Sequence, residues 1–146
     1  MNIIYIKTIQ DRVIKLLRSG NDPLCLCAQD NCSETARIVG CWILQENHMS
    51  SAHILKGKKV MGIKNKCHDV LVVEEPPFFY LIDPTVWQFF KRKKNILLTR
   101  KNTMKECVEF VEKFYGGKWA VSEMINKNCF KNIKKWEDVV KSNNCL

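Results

Sequence analysis

Three residues in this sequence have the types and placements for nucleophilic chemistry: Cys32, His68 and Asp83. Cys32 precedes Ser33-Glu34-Thr35-Ala36, where hydrophobic spacing predicts the start of a helix. A thiol at a helix N-terminus meets the positive end of the macrodipole and free backbone N–H groups, and both favour the thiolate. His68 and Asp83 stand at the two ends of a predicted hairpin closed by Glu74-Glu75-Pro76-Pro77, a turn by composition. Counting outward from a four-residue loop sets Val73 opposite Phe78, Val72 opposite Phe79 and Val70 opposite Leu81. The same register sets His68 opposite Asp83. Residues facing each other across antiparallel strands point the same way, with Cβ atoms about 4.5–5.5 Å apart. At that distance a carboxylate accepts a hydrogen bond from imidazole and fixes its tautomer. Such a set attacks a carbonyl, gives a proton to the leaving group and hydrolyses the resulting thioester, with no metal or cofactor.

The elements that must position these residues are legible as periodicities. A first helix is predicted from Thr8 to Arg18, with Ile9, Val13, Leu16 and Leu17 on one face, and Gly20 to Pro23 end it. A loop from Leu24 to Asn31 leads to a second helix, Ser33 to Glu46, whose apolar residues wrap widely enough for burial on several sides. Strand-like pieces follow at Ala52 to Leu55, Lys59 to Ile63, His68 to Val73, Phe78 to Asp83 and Ile96 to Thr99. Both faces of the hairpin are apolar, which predicts a place in the middle of a sheet. Met104 to Tyr115 has helical spacing and stops at Gly116-Gly117, and Ile133 to Val140 reads as a terminal helix. One buried helix, then strands, then peripheral helices predicts a single α+β domain over residues 1–146.

Composition narrows the setting. Hydrophobic residues make up 46% and charged residues 27%, the profile of a globular protein rather than a disordered one. The start, Met1 to Leu17, carries Lys7, Asp11, Arg12 and Lys15 and does not read as a secretory signal. The eight cysteines are therefore expected to be free thiols of a reducing cytoplasm, in a protein that delivery to another cell would not contradict. No apolar run is long enough for a membrane span. Net charge is +9, densest at Lys91-Arg92-Lys93-Lys94, which reads as a solvated face or a docking surface for an acidic protein. Aromatic residues are not interleaved with this run as a nucleic-acid stacking platform requires. Cys25 and Cys27 lack the usual zinc spacing, and Cys41 and Cys107 fall in apolar helical patterns. A monomer is the default expectation.

Asn31-Cys32-Ser33-Glu34-Thr35-Ala36, Cys67-His68-Asp69-Val70 and Ile82-Asp83-Pro84-Thr85-Val86-Trp87-Gln88-Phe89 resemble the papain-fold toxin and effector group of bacteria, which includes glutamine deamidases acting on host proteins. The resemblance runs from about Gln29 to Phe89. It implies a papain-like fold, with a central helix bearing the cysteine packed on an antiparallel sheet bearing His and Asp. It also implies Cys32 as nucleophile, His68 as base and Asp83 as orienter. Papain-like enzymes often place an oxyanion-hole Gln several residues before the nucleophile; Leu26 stands six before Cys32. Gln29 is the nearer substitute, and Gln88 is either a site residue or a structural amide. The expected activity is deamidation of a glutamine in a target protein. Its rivals are peptide cleavage, transglutamination and a non-catalytic basic binding module.

Overall fold

The residues from Cys32 to Glu46 form the wide-wrapped helix that the apolar pattern predicts, and nine of its 15 positions are buried. It is the third helix of a computed structural model that describes residues 1–144. Before it come α1 (Ile3–Leu17) and the single turn α2 (Leu24–Cys27), which lies in the stretch expected to be loop. After α3 (Cys32–Glu46) come β1 (Ser51–Lys58), β2 (Cys67–Glu75), β3 (Phe78–Asp83), β4 (Leu97–Lys101), α4 (Met104–Tyr115), β5 (Lys118–Ile125) and α5 (Ile133–Asn144). The architecture is α+β, with one antiparallel sheet in the order β4-β3-β2-β1-β5. β2 is the middle strand, as its two apolar faces predict.

α3 lies against the face of β2 that displays Leu71. A Cβ added to Gly40 would come within 3.1 Å of the Leu71 side chain, so glycine at this position lets the helix backbone approach the sheet. Arg37 fastens the helix start to the same face. Its guanidinium donates to Asp69 Oδ2 at 2.9 Å, to the Ser33 carbonyl at 2.8 Å and to Glu123 of β5. The opposite face of the hairpin carries His68, Val70, Val72, Leu81 and Asp83, all buried.

Three expectations need correction. The turn between β2 and β3 consists of Pro76 and Pro77 alone, because Glu75 already pairs with Phe78. The register is therefore Val72 with Leu81 and Leu71 with Ile82, two residues away from the four-residue count, and His68 is not directly opposite Asp83. Lys59 to Ile63 is not a strand: Lys59, Met61 and Gly62 take positive φ values of 57°, 56° and 72°, which fold the segment into a short 3-10 turn. β5, for its part, has no counterpart in the sequence reading. Among the described residues, no helix is long and apolar enough to cross a membrane.

Candidate active site

Asp83 ends β3, and Pro84 turns the chain away from the sheet. The Asp83 carboxylate is fully buried and collects four donors. His68 Nε2 lies 2.7 Å from Oδ2, and the Tyr115 hydroxyl donates to the same oxygen. The Thr85 amide and hydroxyl donate to Oδ1 at 2.9 and 3.2 Å. Burial alone would raise Asp83, but the His68 charge and hydrogen bond, with Tyr115 and Thr85, outweigh it and hold the carboxyl below its ordinary value.

His68 is the second residue of β2, with no exposed surface. Burial pulls its pKa down, but the charge and hydrogen bond of Asp83, followed by the hydrogen bond and charge of Cys32, raise it from 6.5 to about 10. The ring is held edge-on by Phe89 at 4.8 Å, Tyr115 at 5.1 Å and Trp119 at 6.1 Å between centroids. Register explains how Trp119 gets there. Gly57 of β1 pairs with His68 on one side and Trp119 on the other. A Cβ on Gly57 would sit 2.3 Å from Trp119 Cε2, so the indole occupies the space that a side chain there would fill.

Cys32 opens α3 and is half-buried. Asn31, the preceding residue, caps the helix through its backbone and gives no side-chain cap. Its side chain is committed elsewhere, with no exposed surface. The amide donates to the Cys27 carbonyl at 2.8 Å and to Asn144 at 3.1 Å, and it accepts from Asn143 at 2.9 Å. Asn144 in turn donates to the Leu17 carbonyl at 2.7 Å. α5 thus clasps the segment that presents the thiol.

Of the predicted residues, the structure brings His68 and Asp83 into direct contact, while Cys32 enters through its contribution, after that of Asp83, to the raised pKa of the same imidazole. The side-by-side placement of His68 and Asp83 stands while their direct pairing does not. A shift of two residues keeps both side chains on one face, and diagonal neighbours remain within reach of an imidazole. Gln29 is drawn in by another route: its Nε2 donates to the Gln88 carbonyl at 3.2 Å. A primary amide has two N–H donors, so this bond leaves a second one. Gln88 is buried, and its own amide nitrogen lies 3.0 Å from His68 Nδ1, the ring nitrogen not held by Asp83.

Tyr115 escaped the sequence reading, although it continues the spacing Cys107, Val108, Val111 at the end of α4 and stands four residues after Val111. Burial, the Asp83 charge and hydrogen bond, and the Cys32 charge together push its hydroxyl well above the ordinary tyrosine value, so it stays a donor. Trp119 carried no periodic signal, because β5 has only two buried positions. None of the seven described cysteines is in a disulfide, and among the described residues no three His, Cys, Asp or Glu side chains gather as a metal site would require.

No family model, curated protein or solved structure matches this chain.

Proposed function

We propose that this protein is a papain-like cysteine hydrolase whose favoured reaction is deamidation of a glutamine side chain in a target protein. One observation carries the reading: a solvent-free imidazole stands 2.7 Å from a fully buried carboxylate, with the thiol that opens α3 among the groups that raise the imidazole's pKa. Cys32 attacks the carboxamide carbon as thiolate. The oxyanion is met by the Cys32 backbone N–H at the helix start, with Gln29 as a secondary donor. His68 gives its proton to the leaving ammonia, then takes one from the water that hydrolyses the thioester, while Asp83 holds the ring. The resemblance of the segments around Cys32, His68 and Asp83 to bacterial papain-fold toxins favours a protein substrate. The small domain, with little room for a long peptide cleft, favours a side-chain amide over a peptide bond.

The test exposes cell proteins to wild type and to Cys32→Ala and compares them by intact mass and peptide mapping. Deamidation adds about one dalton at a glutamine without a new chain terminus, and only with wild type. New termini would convert the reading to peptidase, and identical maps for the two proteins would remove the enzyme reading.

A further inference from the structure

A groove of about 970 Å³ opens between β4 and α4, lined by Phe90, Phe110 and Phe114 among others. An adjoining cavity of about 490 Å³ shares Phe90 and Phe114 and is walled by Lys91, Arg92 and Lys93. Arg100, Lys101 and Lys113 also line the larger groove. The basic run thus does have aromatic company, supplied by α4 from some twenty residues away in sequence. The turn that carries the run is fixed from beneath, since the buried Trp87 donates its indole N–H to the Lys93 carbonyl at 2.8 Å.

We infer that this groove is the docking site for an acidic segment of the substrate protein bearing an aromatic or bulky apolar side chain; its place in substrate recognition rests on the function proposed above. Charge is the first argument. Among the described residues Lys91, Arg92 and Lys93 form no ion pair. The two carboxylates of the groove, Glu106 and Glu109, are outnumbered by Arg100, Lys101 and Lys113 on its own lining and by Lys91, Arg92 and Lys93 of the adjoining cavity. A surplus of positive charge around an apolar floor attracts carboxylates at the rim and takes a desolvated side chain at the centre.

Continuity with the site is the second. Phe90 and Phe114 pack on Tyr115 at 5.9 and 4.8 Å, and Tyr115 donates to Asp83. Phe89, next in chain to Phe90, packs on His68. One aromatic layer separates the groove from the triad. A nucleic acid fits this lining less well. Phe110 is stacked on Phe114 at 5.4 Å and lies under the Lys101 ammonium at 5.0 Å, so these rings offer no ladder for bases.

The experiment measures fluorescence anisotropy of a short fluorescein-labelled peptide of Asp and Glu around one Phe, titrated with the full chain in its wild-type and Cys32→Ser forms. Both forms should bind saturably. The combined Lys91→Glu, Arg92→Glu, Lys93→Glu variant, checked by its melting curve, should bind at least about tenfold more weakly. Replacing the peptide's Phe by Ser should weaken binding by a similar factor. Charge reversal at the exposed Lys127, Lys131 and Lys135 should leave it near wild type. Equal losses from both charge reversals, no effect of the peptide's Phe, or tighter binding of a labelled oligothymidine would each overturn the groove. The two proposals fail separately: peptide binding without any deamidation sinks the chemistry alone, and undiminished binding by the groove variant sinks the groove alone.

Discussion

His68 Nε2 and Asp83 Oδ2 are 2.7 Å apart, and neither side chain has exposed surface. Removing one partner of a buried pair strands the other, at a cost of about 3–5 kcal/mol. His68→Ala should therefore lose both stability, on that scale, and all activity. Cys32→Ala should lose activity while melting close to wild type, since Cys32 is half-buried and opens the helix without filling the core. Denaturant melts beside the mass assay check both; equal stabilities for the two variants would show that the pair is not what orders this end of the sheet.

The pair also sets a pH dependence. His68 is raised from 6.5 to about 10, so the stability it contributes is complete below 6.5 and drains away as pH climbs towards 10. Asp83 is lowered from 3.8, so its contribution is complete above that value and is lost in acid. Stability should hold a plateau between these limits and fall on the alkaline side by up to about 1.4 kcal/mol per pH unit. The rate of the proposed deamidation should fall on the same limb, as His68 loses the proton it would give to ammonia. Chemical denaturation across this range reads the slope, and a His68→Ala protein with the same alkaline slope would assign it to another group.

Tyr115→Phe keeps the ring between His68 and Phe114 but removes one donor from Asp83. A hydrogen bond to a charged group is worth roughly 1.5–3 kcal/mol, which is the expected loss. Asp83 becomes less depressed, so acid unfolding should begin at a higher pH than in wild type. The rate should drop only in part, because the His68–Asp83 bond remains. Acid titration of the melt is the measurement, and an unmoved acid limb would mean that the hydroxyl does not stabilise the carboxylate.

Gly57→Ala places a methyl where the Trp119 ring lies. Overpacking of this kind costs typically about 1–3 kcal/mol. The indole should be displaced from His68, giving a loss of rate with the triad side chains all present. A crystal structure of the variant reads the displacement directly, and a Trp119 ring in its original position would refute the steric account.

Parity was the most legible property of the site. The count from Glu74 to Pro77 misjudged the turn by two residues, and an even error leaves every side chain on its proper face. His68 and Asp83 therefore met despite a wrong partner list. A one-residue error would have separated them. The buried helix and α4 were legible for the usual reason, that apolar residues at helical spacing have no other economical arrangement. β5 was not legible. It lies at the sheet edge with only Trp119 and Ile125 buried, and its register with β1 shifts between Ile54 and Leu55, which breaks the alternation. Val60, Met61 and Ile63 imitated a strand because apolar content says nothing about positive φ. Tyr115 was hidden for a different reason. It is polar only at its tip, and what the tip touches depends on a tertiary contact with a residue 32 positions away. The same dependence is why the sequence leaves Gln88 open between a site residue and a structural amide, which its contact with His68 decides.

The asparagine clasp reaches further still along the chain. Asn31 is bound by Asn143 and Asn144, 112 and 113 residues downstream. During synthesis Cys32, His68 and Asp83 are all made well before those partners exist. The nascent chain thus carries all three residues for a time without the fastening that holds the Cys32 segment to α1 and α5. Closing so long a loop adds little entropic cost over a moderate one, since the penalty grows only with the logarithm of length. The final turn of α5 in this way ties the geometry around the thiol to residues translated 112 and 113 positions after Asn31.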